Sequence, residues 1–212
     1  MTGIDGYPRG WVAVDLDADG NATARASRLL GELVDPGAAV VAVDIPIGIP
    51  EEGRREADLE AQRFVGARRS TVFFTPPRAV LEAQTYEEAR RVAVATTGKS
   101  ISSQSYALRG RILEADPLAR ADARIVEVHP EVSFCELAGG PLRSSKHTPE
   151  GLRERRALLE EAGLVLPERP RGVPEADLLD AAVAAWSAAR FARREALSLP
   201  AGHSERIGAI WR

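Results

Sequence analysis

The sequence has a single cysteine, Cys135, and only two lysines, Lys99 and Lys146. One cysteine excludes an intramolecular disulfide framework, so a reducing cytoplasm is the expected compartment. No apolar run approaches the ~20 residues that a membrane-spanning helix needs, so no membrane partner is expected, and no signal-peptide pattern opens the chain. The aromatic content is 5%, which predicts no base-stacking platform of the kind that single-strand nucleic-acid binders use.

The remaining composition is that of an ordinary globular protein with unevenly distributed charge. Of the 212 residues, 44% are hydrophobic and 28% are charged, and the net charge is −3. This length and composition predict one globular domain. The segment 62–111 nevertheless holds nine basic and three acidic residues. This asymmetry indicates either a surface for an anionic partner or a set of solvated helix faces.

The stretch that ends at Asp44 is the most informative part of the chain. Four small apolar residues, Val40–Val43, run directly into this carboxylate, and Pro46 and Gly48 follow. A continuous apolar run bounded by turn residues predicts a strand buried on both faces. An acid at the carboxyl end of such a strand lies at the rim of the sheet, where α/β proteins bind their ligands.

The residues before Asp44 predict a β-β-β-α-β arrangement. Three short strands form an antiparallel meander, and a short helix leads to the fourth strand; these elements are expected at 2–5, 11–16, 22–28, 29–35 and 40–44. The crossover places the fourth strand parallel to the first. Asp5 and Asp44 are then expected to end adjacent parallel strands, with their carboxylates close together.

The rest of the chain is predicted to be mostly helical. A single domain spans residues 1–212, and residues 51–120 form a helical insertion within it. Apolar spacing and capping patterns predict helices at 52–66, 85–95, 102–114, 149–162 and 174–196. Two further segments are expected to be extended, a strand or hairpin edge at 70–74 and a sheet strand at 124–130.

Two other groups of polar residues could carry chemistry. Glu127 and His129 alternate with apolar residues, so they share one strand face, directed either to a polar site or to solvent. Asp177 and Asp180 are three residues apart on one face of the last helix. Asp177 could simply be a favourable acid of the first helical turn, whereas Asp180 lies deeper among apolar residues.

The predicted topology brings acids from distant segments to one place. Carboxylate oxygens are the ligands that Mg²⁺ or Mn²⁺ prefers, so Asp5, Asp44, Asp177 and Asp180 are predicted metal ligands. Two such ions about 4 Å apart can bind the attacking and leaving oxygens of a phosphodiester displacement. The same acids are predicted to be catalytic, together with Glu127 and His129 as groups that orient water or transfer protons.

These features resemble the ribonuclease H-like fold and, more specifically, the predicted nuclease family labelled domain of unknown function 429. The resemblance rests on motifs that occur in order along nearly the whole chain. They are Gly3–Gly6 with Gly10-Trp11, Val43–Gly48, Arg55–Asp58, Arg69–Phe73, Tyr86–Ala89, Gly98–Ser102, Glu127–Glu131 and Asp177–Trp186. The resemblance implies a mixed five-stranded sheet, three antiparallel strands followed by parallel ones, flanked by helices, with a helical insertion between strands four and five.

The resemblance also implies a metal-dependent nuclease that hydrolyses a phosphodiester of nucleic acid. Residues that recur in it and could contact a phosphate backbone are Arg69, Lys99, Gln104 and Lys146. Each of these could equally be a polar residue that only faces water. No role is carried over to Arg111, because Gly110-Arg111 stands where the family has Pro-Lys.

Two other functions remain open. A phosphotransferase related to the actin-like ATPases would use Asp5-Gly6 and Asp44–Gly48 as phosphate loops, although that architecture normally duplicates the domain and the chain shows no internal repeat. A non-catalytic module that binds nucleic acid or protein would keep the acids as structural groups. Binding of ATP would identify the phosphotransferase. Absence of metal-dependent hydrolysis would identify the non-catalytic module.

Overall fold

The computed structural model describes residues 1–212, which form an α/β protein around a mixed five-stranded sheet. The strands are β1 (Thr2–Tyr7), β2 (Gly10–Leu16), β3 (Ala22–Ser27), β4 (Val41–Val43) and β5 (Ile125–Glu127). Their order across the sheet is β3-β2-β1-β4-β5, with β1 to β3 antiparallel and β4 and β5 parallel to β1. The predicted meander, crossover and flanked mixed sheet are therefore confirmed.

The register of the parallel strands places two predicted acids side by side. Ile4 of β1 is paired with Val43 of β4, and the Asp44 amide donates to the Ile4 carbonyl at 2.8 Å. Asp44 therefore lies just beyond β4, next to Asp5. The prediction that β1 ends at Asp5 is wrong, because β1 continues to pair with β2 as far as Tyr7 after its pairing with β4 has stopped.

Five helices connect β4 to β5. They are α1 (Glu56–Phe64), α2 (Arg78–Glu82), α3 (Tyr86–Thr97), α4 (Ser103–Ala107) and α5 (Arg109–Ala121). Thr85 caps α3 as expected, because its side chain accepts the Glu88 amide. The single helix predicted at 102–114 is divided between α4 and α5, which meet at Leu108.

The expected strand or hairpin edge at 70–74 is absent. Gly66 adopts a left-handed φ of 55° and begins a 3-10 helix that extends to Thr71. The Val72 carbonyl is then bound by the Gln62 side chain at 2.7 Å, rather than by a neighbouring strand. Val72 is buried without joining a sheet, and Phe73 and Phe74 are half-buried.

Three helices and a small hairpin follow β5. They are α6 (Pro130–Leu137), α7 (Pro149–Glu161), α8 (Glu175–Ala192), β6 (Ser198–Leu199) and β7 (Ile210–Trp211). The sequence did not predict α6, because Pro130 reads as the end of a strand. Here Pro130 occupies the first turn of a helix, where a missing backbone N–H breaks no hydrogen bond.

Helices cover both faces of the sheet. On one face α5 packs against Ile4, Val43 and Ile125, and on the other α8 packs against β1, β2 and β4. The contact with α8 is unusually close, because a Cβ at Gly3 would lie 2.0 Å from the Ala185 nitrogen. This proximity brings the first turns of α8 to the rim where β1 and β4 end. None of the helices combines the length and apolar character needed to cross a membrane.

Candidate metal-binding active site

Three carboxylates meet at the rim of the sheet. Asp5 of β1 and Asp177 and Asp180 of α8 each bring one oxygen within 4.8 Å of the others. Oxygens bound to a single Mg²⁺ at about 2.1 Å are at most about 4.2 Å apart. Rotation of the side chains would bring the three oxygens close enough to share one ion. Asp5, Asp44 and Asp180 also line one cavity of about 410 Å³ at this rim, which we call the active-site cavity.

The electrostatics of this acid cluster favour a bound cation. Burial is the largest cause that raises the pKa of Asp5 well above its usual value, and the charges of Asp44 and Asp180 add to the increase. Burial also raises the pKa of Asp180 and of Asp177, although the positive charge of Lys146 acts against it in both cases. The protein thus gathers more negative charge than one lysine neutralises, as metal sites commonly do.

Lys146 is the one cation that directly contacts this cluster. Its Nζ donates to Oδ2 of Asp180 at 2.5 Å. Burial alone would lower the pKa of Lys146, but the carboxylates of Asp180 and Asp5 outweigh burial and raise it. The lysine therefore stays protonated and supplies positive charge at the innermost acid.

A buried chain of ion pairs holds the loop that carries Lys146. Arg155, which has no exposed surface, donates to Glu131 at 2.8 Å and to the Ser144 carbonyl at 3.2 Å. Arg68 donates to the other Glu131 oxygen at 2.9 Å and to the same Ser144 carbonyl at 2.5 Å. Two arginines thus fix a backbone position only two residues before Lys146.

Glu127 lies in a separate buried network beside the acid cluster. Its two oxygens accept bonds of 2.7 Å each from the Arg55 guanidinium, and one also accepts the Ile47 amide at 2.6 Å. Arg55 in turn binds Asp58 at 2.5 Å. Burial raises the pKa of Glu127 to about 7, although Arg55 acts in the opposite direction. With both oxygens occupied, Glu127 is poorly placed to orient a water molecule.

His129 is better placed than Glu127 to transfer a proton. It lines the same cavity, immediately before α6, and its Nδ1 is buried without a hydrogen-bond partner. The imidazole as a whole is half-buried, so the part of the ring that faces the cavity can accept a proton from water or donate one to a leaving oxygen.

Comparison with known protein families shows the family of this chain. The model of a family described as "Protein of unknown function (DUF429)" matches residues 3–205. The chain belongs to this family. Among curated proteins and among solved structures, none matches the chain. The description of this family assigns no activity.

Three residues predicted to contact phosphate lie away from the acid cluster of this DUF429 chain. Arg69 is exposed on the 3-10 helix 66–71, and its neighbour Arg68 lines the cavity instead. Gln104 is exposed on α4, and Lys99 lies at a second cavity. Only Lys146 of the four predicted phosphate contacts lies among the acids.

Arg111 lines the cavity, although no role could be predicted for it from the sequence. Its guanidinium lies 5.3 Å from the Trp11 ring centroid and donates to the Gly10 carbonyl at 3.3 Å. Gly6 leaves room for it, because a Cβ there would be 2.9 Å from Arg111 Nη1. The only sequence signal that could have indicated Arg111 is its position in the basic segment 62–111.

Proposed function

We propose that this DUF429 protein is a divalent-metal-dependent phosphodiesterase that cleaves a nucleic-acid backbone on a ribonuclease H-like fold. The observation that carries the proposal is the approach of Asp5, Asp177 and Asp180 to within 4.8 Å, with Asp44 beside them. The strand order, with acids on the first strand, after the fourth strand and on the last helix, supports the proposed fold.

The donor set fits Mg²⁺ or Mn²⁺. All four candidate ligands are carboxylates, the hard oxygen donors that these ions prefer, and no thiolate or imidazole is among them. Asp5, Asp44, Asp177 and Asp180 would hold the metal. When bound, such an ion stabilises the negative charge that develops on phosphoryl oxygens.

The other residues of the cavity have roles that follow from their charge and position. Arg68 and Arg111 face the cavity and would bind non-bridging phosphate oxygens through their N–H groups. Lys146 would hold Asp180 in place and contribute charge. The His129 imidazole would accept the proton of the attacking water or protonate the leaving oxygen through the part of its ring that faces the cavity.

The hydrogen bonds of the backbone amides favour a phosphodiesterase over a phosphotransferase of the actin-like type. A phosphate loop needs free amides that point at the ligand. Here the Ile47 amide donates to Glu127 at 2.6 Å and the Gly48 amide to Asp116 at 2.8 Å. The Gly6 amide donates to the Asp5 carboxylate at 2.8 Å. The two candidate phosphate loops thus have amides that carboxylates already occupy.

The test is Mn²⁺-dependent cleavage of single-stranded, duplex, hybrid and branched substrates by the wild type and by Asp44→Asn. We expect cleavage of at least one substrate that needs the metal and is lost in the variant. Asp19→Asn, at an exposed loop position, is the matched control and should cleave as the wild type does. Equal activity of Asp44→Asn would overturn the proposed site, and stoichiometric binding of ATP without cleavage would favour the phosphotransferase.

A further inference from the structure

A second cavity adjoins the candidate active site. It has a volume of about 240 Å³, against about 410 Å³ for the active-site cavity, and we call it the outer cavity. Phe73 lines both cavities, so they share a wall. The outer cavity is also lined by Phe74, Arg54 and Lys99. A ligand that extends out of the active site past Phe73 would enter it.

The lining of the outer cavity suits a base and a phosphate. The Arg54 guanidinium lies 4.0 Å from the centroid of the Phe74 ring. Aromatic rings and guanidinium groups are both surfaces on which nucleobases stack. Neither Arg54 nor Lys99 forms an ion pair with any acid of the protein. Both charges therefore remain available to a phosphate.

The segment that carries the two phenylalanines is fixed relative to the active site. The Thr75 amide donates to Asp58 at 2.7 Å, and Asp58 binds Arg55. Arg55 binds Glu127 at the end of β5 with bonds of 2.7 Å. This network ties the position of Phe73 and Phe74 to the strand beside the acid cluster, so the distance between the two cavities is set by buried contacts.

We infer that the outer cavity binds an unpaired nucleotide of the substrate, next to the phosphodiester held at the acid cluster. The base packs against Phe74 and Arg54, and Lys99 contacts the adjoining phosphate. A base inside a duplex has both faces covered by its neighbours, so this cavity selects single-stranded or frayed nucleic acid. The inference rests on the proposed function, because it takes the active-site ligand to be a nucleic-acid backbone.

The test measures binding and does not depend on cleavage. Short fluorescein-labelled oligothymidylate, oligouridylate and a blunt duplex are titrated with Asp44→Asn protein in EDTA, and fluorescence anisotropy is recorded. We expect both single strands to bind at least about tenfold more tightly than the duplex. Phe74→Leu, which keeps an apolar side chain but removes the ring, should weaken single-strand binding roughly tenfold or more.

Two further variants separate the role of the ring from an effect on folding. Phe74→Trp keeps an aromatic face and should bind at least as tightly as the parent protein. Arg54→Gln should weaken binding, whereas Arg63→Gln, an exposed arginine paired with Glu60 that lines neither cavity, should change it less than about twofold.

The inference is overturned if no single strand binds, if the duplex binds as tightly, or if Phe74→Leu and Arg54→Gln leave affinity unchanged. Failure of the proposed function has a different signature. In that case the wild type would show no metal-dependent cleavage of a single strand that it binds through Phe74 and Arg54.

Discussion

Lys146 places its ammonium group 2.5 Å from Oδ2 of Asp180. The lysine side chain is 35% exposed, whereas Asp180 is only 1% exposed, so the pair joins the cavity to the most deeply buried acid of the cluster. A divalent cation that binds the cluster competes with this ammonium for Asp180. The lysine therefore acts on metal affinity as well as on any phosphate in the cavity.

Lys146→Gln should bind Mn²⁺ more tightly than the wild type does. Removing one positive charge next to the cluster lowers the repulsion that an incoming cation meets, and we expect affinity to increase by about three- to tenfold. Cleavage should nevertheless fall, because the ammonium no longer contributes charge at the phosphate. Isothermal titration of the chelator-treated protein measures the affinity. Lys146→Arg retains the charge and is the control, and weaker Mn²⁺ binding by Lys146→Gln would contradict the prediction.

Asp5→Asn should stabilise the metal-free protein, and increasingly so as pH rises. The raised pKa of Asp5 means that the folded state keeps a proton that the unfolded chain loses near about pH 4. Ionisation above that pH opposes folding, and asparagine removes this effect while its amide oxygen can still accept the Gly6 N–H. We expect a gain of about 1 kcal/mol at pH 8 and none at pH 4.

Urea denaturation of both proteins in EDTA, at pH 4, 6 and 8, measures this difference. Addition of Mn²⁺ at pH 8 should reverse the order, because only the wild type gains stability from the metal. An advantage of Asp5→Asn that does not change with pH would show that the charge of Asp5 is not the cause.

Glu127→Gln should destabilise the protein more than it impairs catalysis. Both Glu127 oxygens accept N–H groups from Arg55 or Ile47, so the amide NH2 of glutamine would face a buried donor, and a buried donor left without its acceptor costs about 1–3 kcal/mol. Cleavage measured at a temperature where the variant is folded should persist within about tenfold. A variant that is as stable as the wild type but inactive would instead make Glu127 a catalytic residue.

Gly3→Ala should disturb both the fold and the metal site. The added Cβ would lie 2.0 Å from the Ala185 nitrogen, so α8 must move away from β1 and take Asp177 and Asp180 with it. We expect a loss of at least about 2 kcal/mol in unfolding free energy and weaker Mn²⁺ binding. Gly110→Ala, where a Cβ meets nothing within 4 Å, is the control and should be at least as stable as the wild type and keep its affinity.

The parts of the fold that could be predicted from the sequence are those whose structure is determined by residues adjacent in the chain. The apolar run Val40–Val43 specifies a buried strand on its own, and the meander before it follows from alternation and turn residues. The proximity of Asp5 and Asp44 then follows from strand order. The end of β1 could not be predicted, because its last residues pair with β2 alone.

The rest of the site depends on contacts between distant segments. Arg55 and Asp58, three residues apart, are typical of a surface ion pair, and only the burial of Glu127 against them makes a network. Arg111 reaches the cavity because Gly6 has no side chain. Phe73 and Phe74 form an aromatic surface that an average aromatic content of 5% does not reveal.

Arg155 has a consequence for the kinetics of ligand capture. It is fully buried and, with Glu131 and Arg68, holds the Ser144 carbonyl in place. The loop that carries Lys146 is therefore ordered when the protein folds, and its conformational entropy is not lost again on binding. Binding of phosphate by this loop should follow a single exponential whose rate rises linearly with ligand concentration, without the plateau that a slow loop closure would impose.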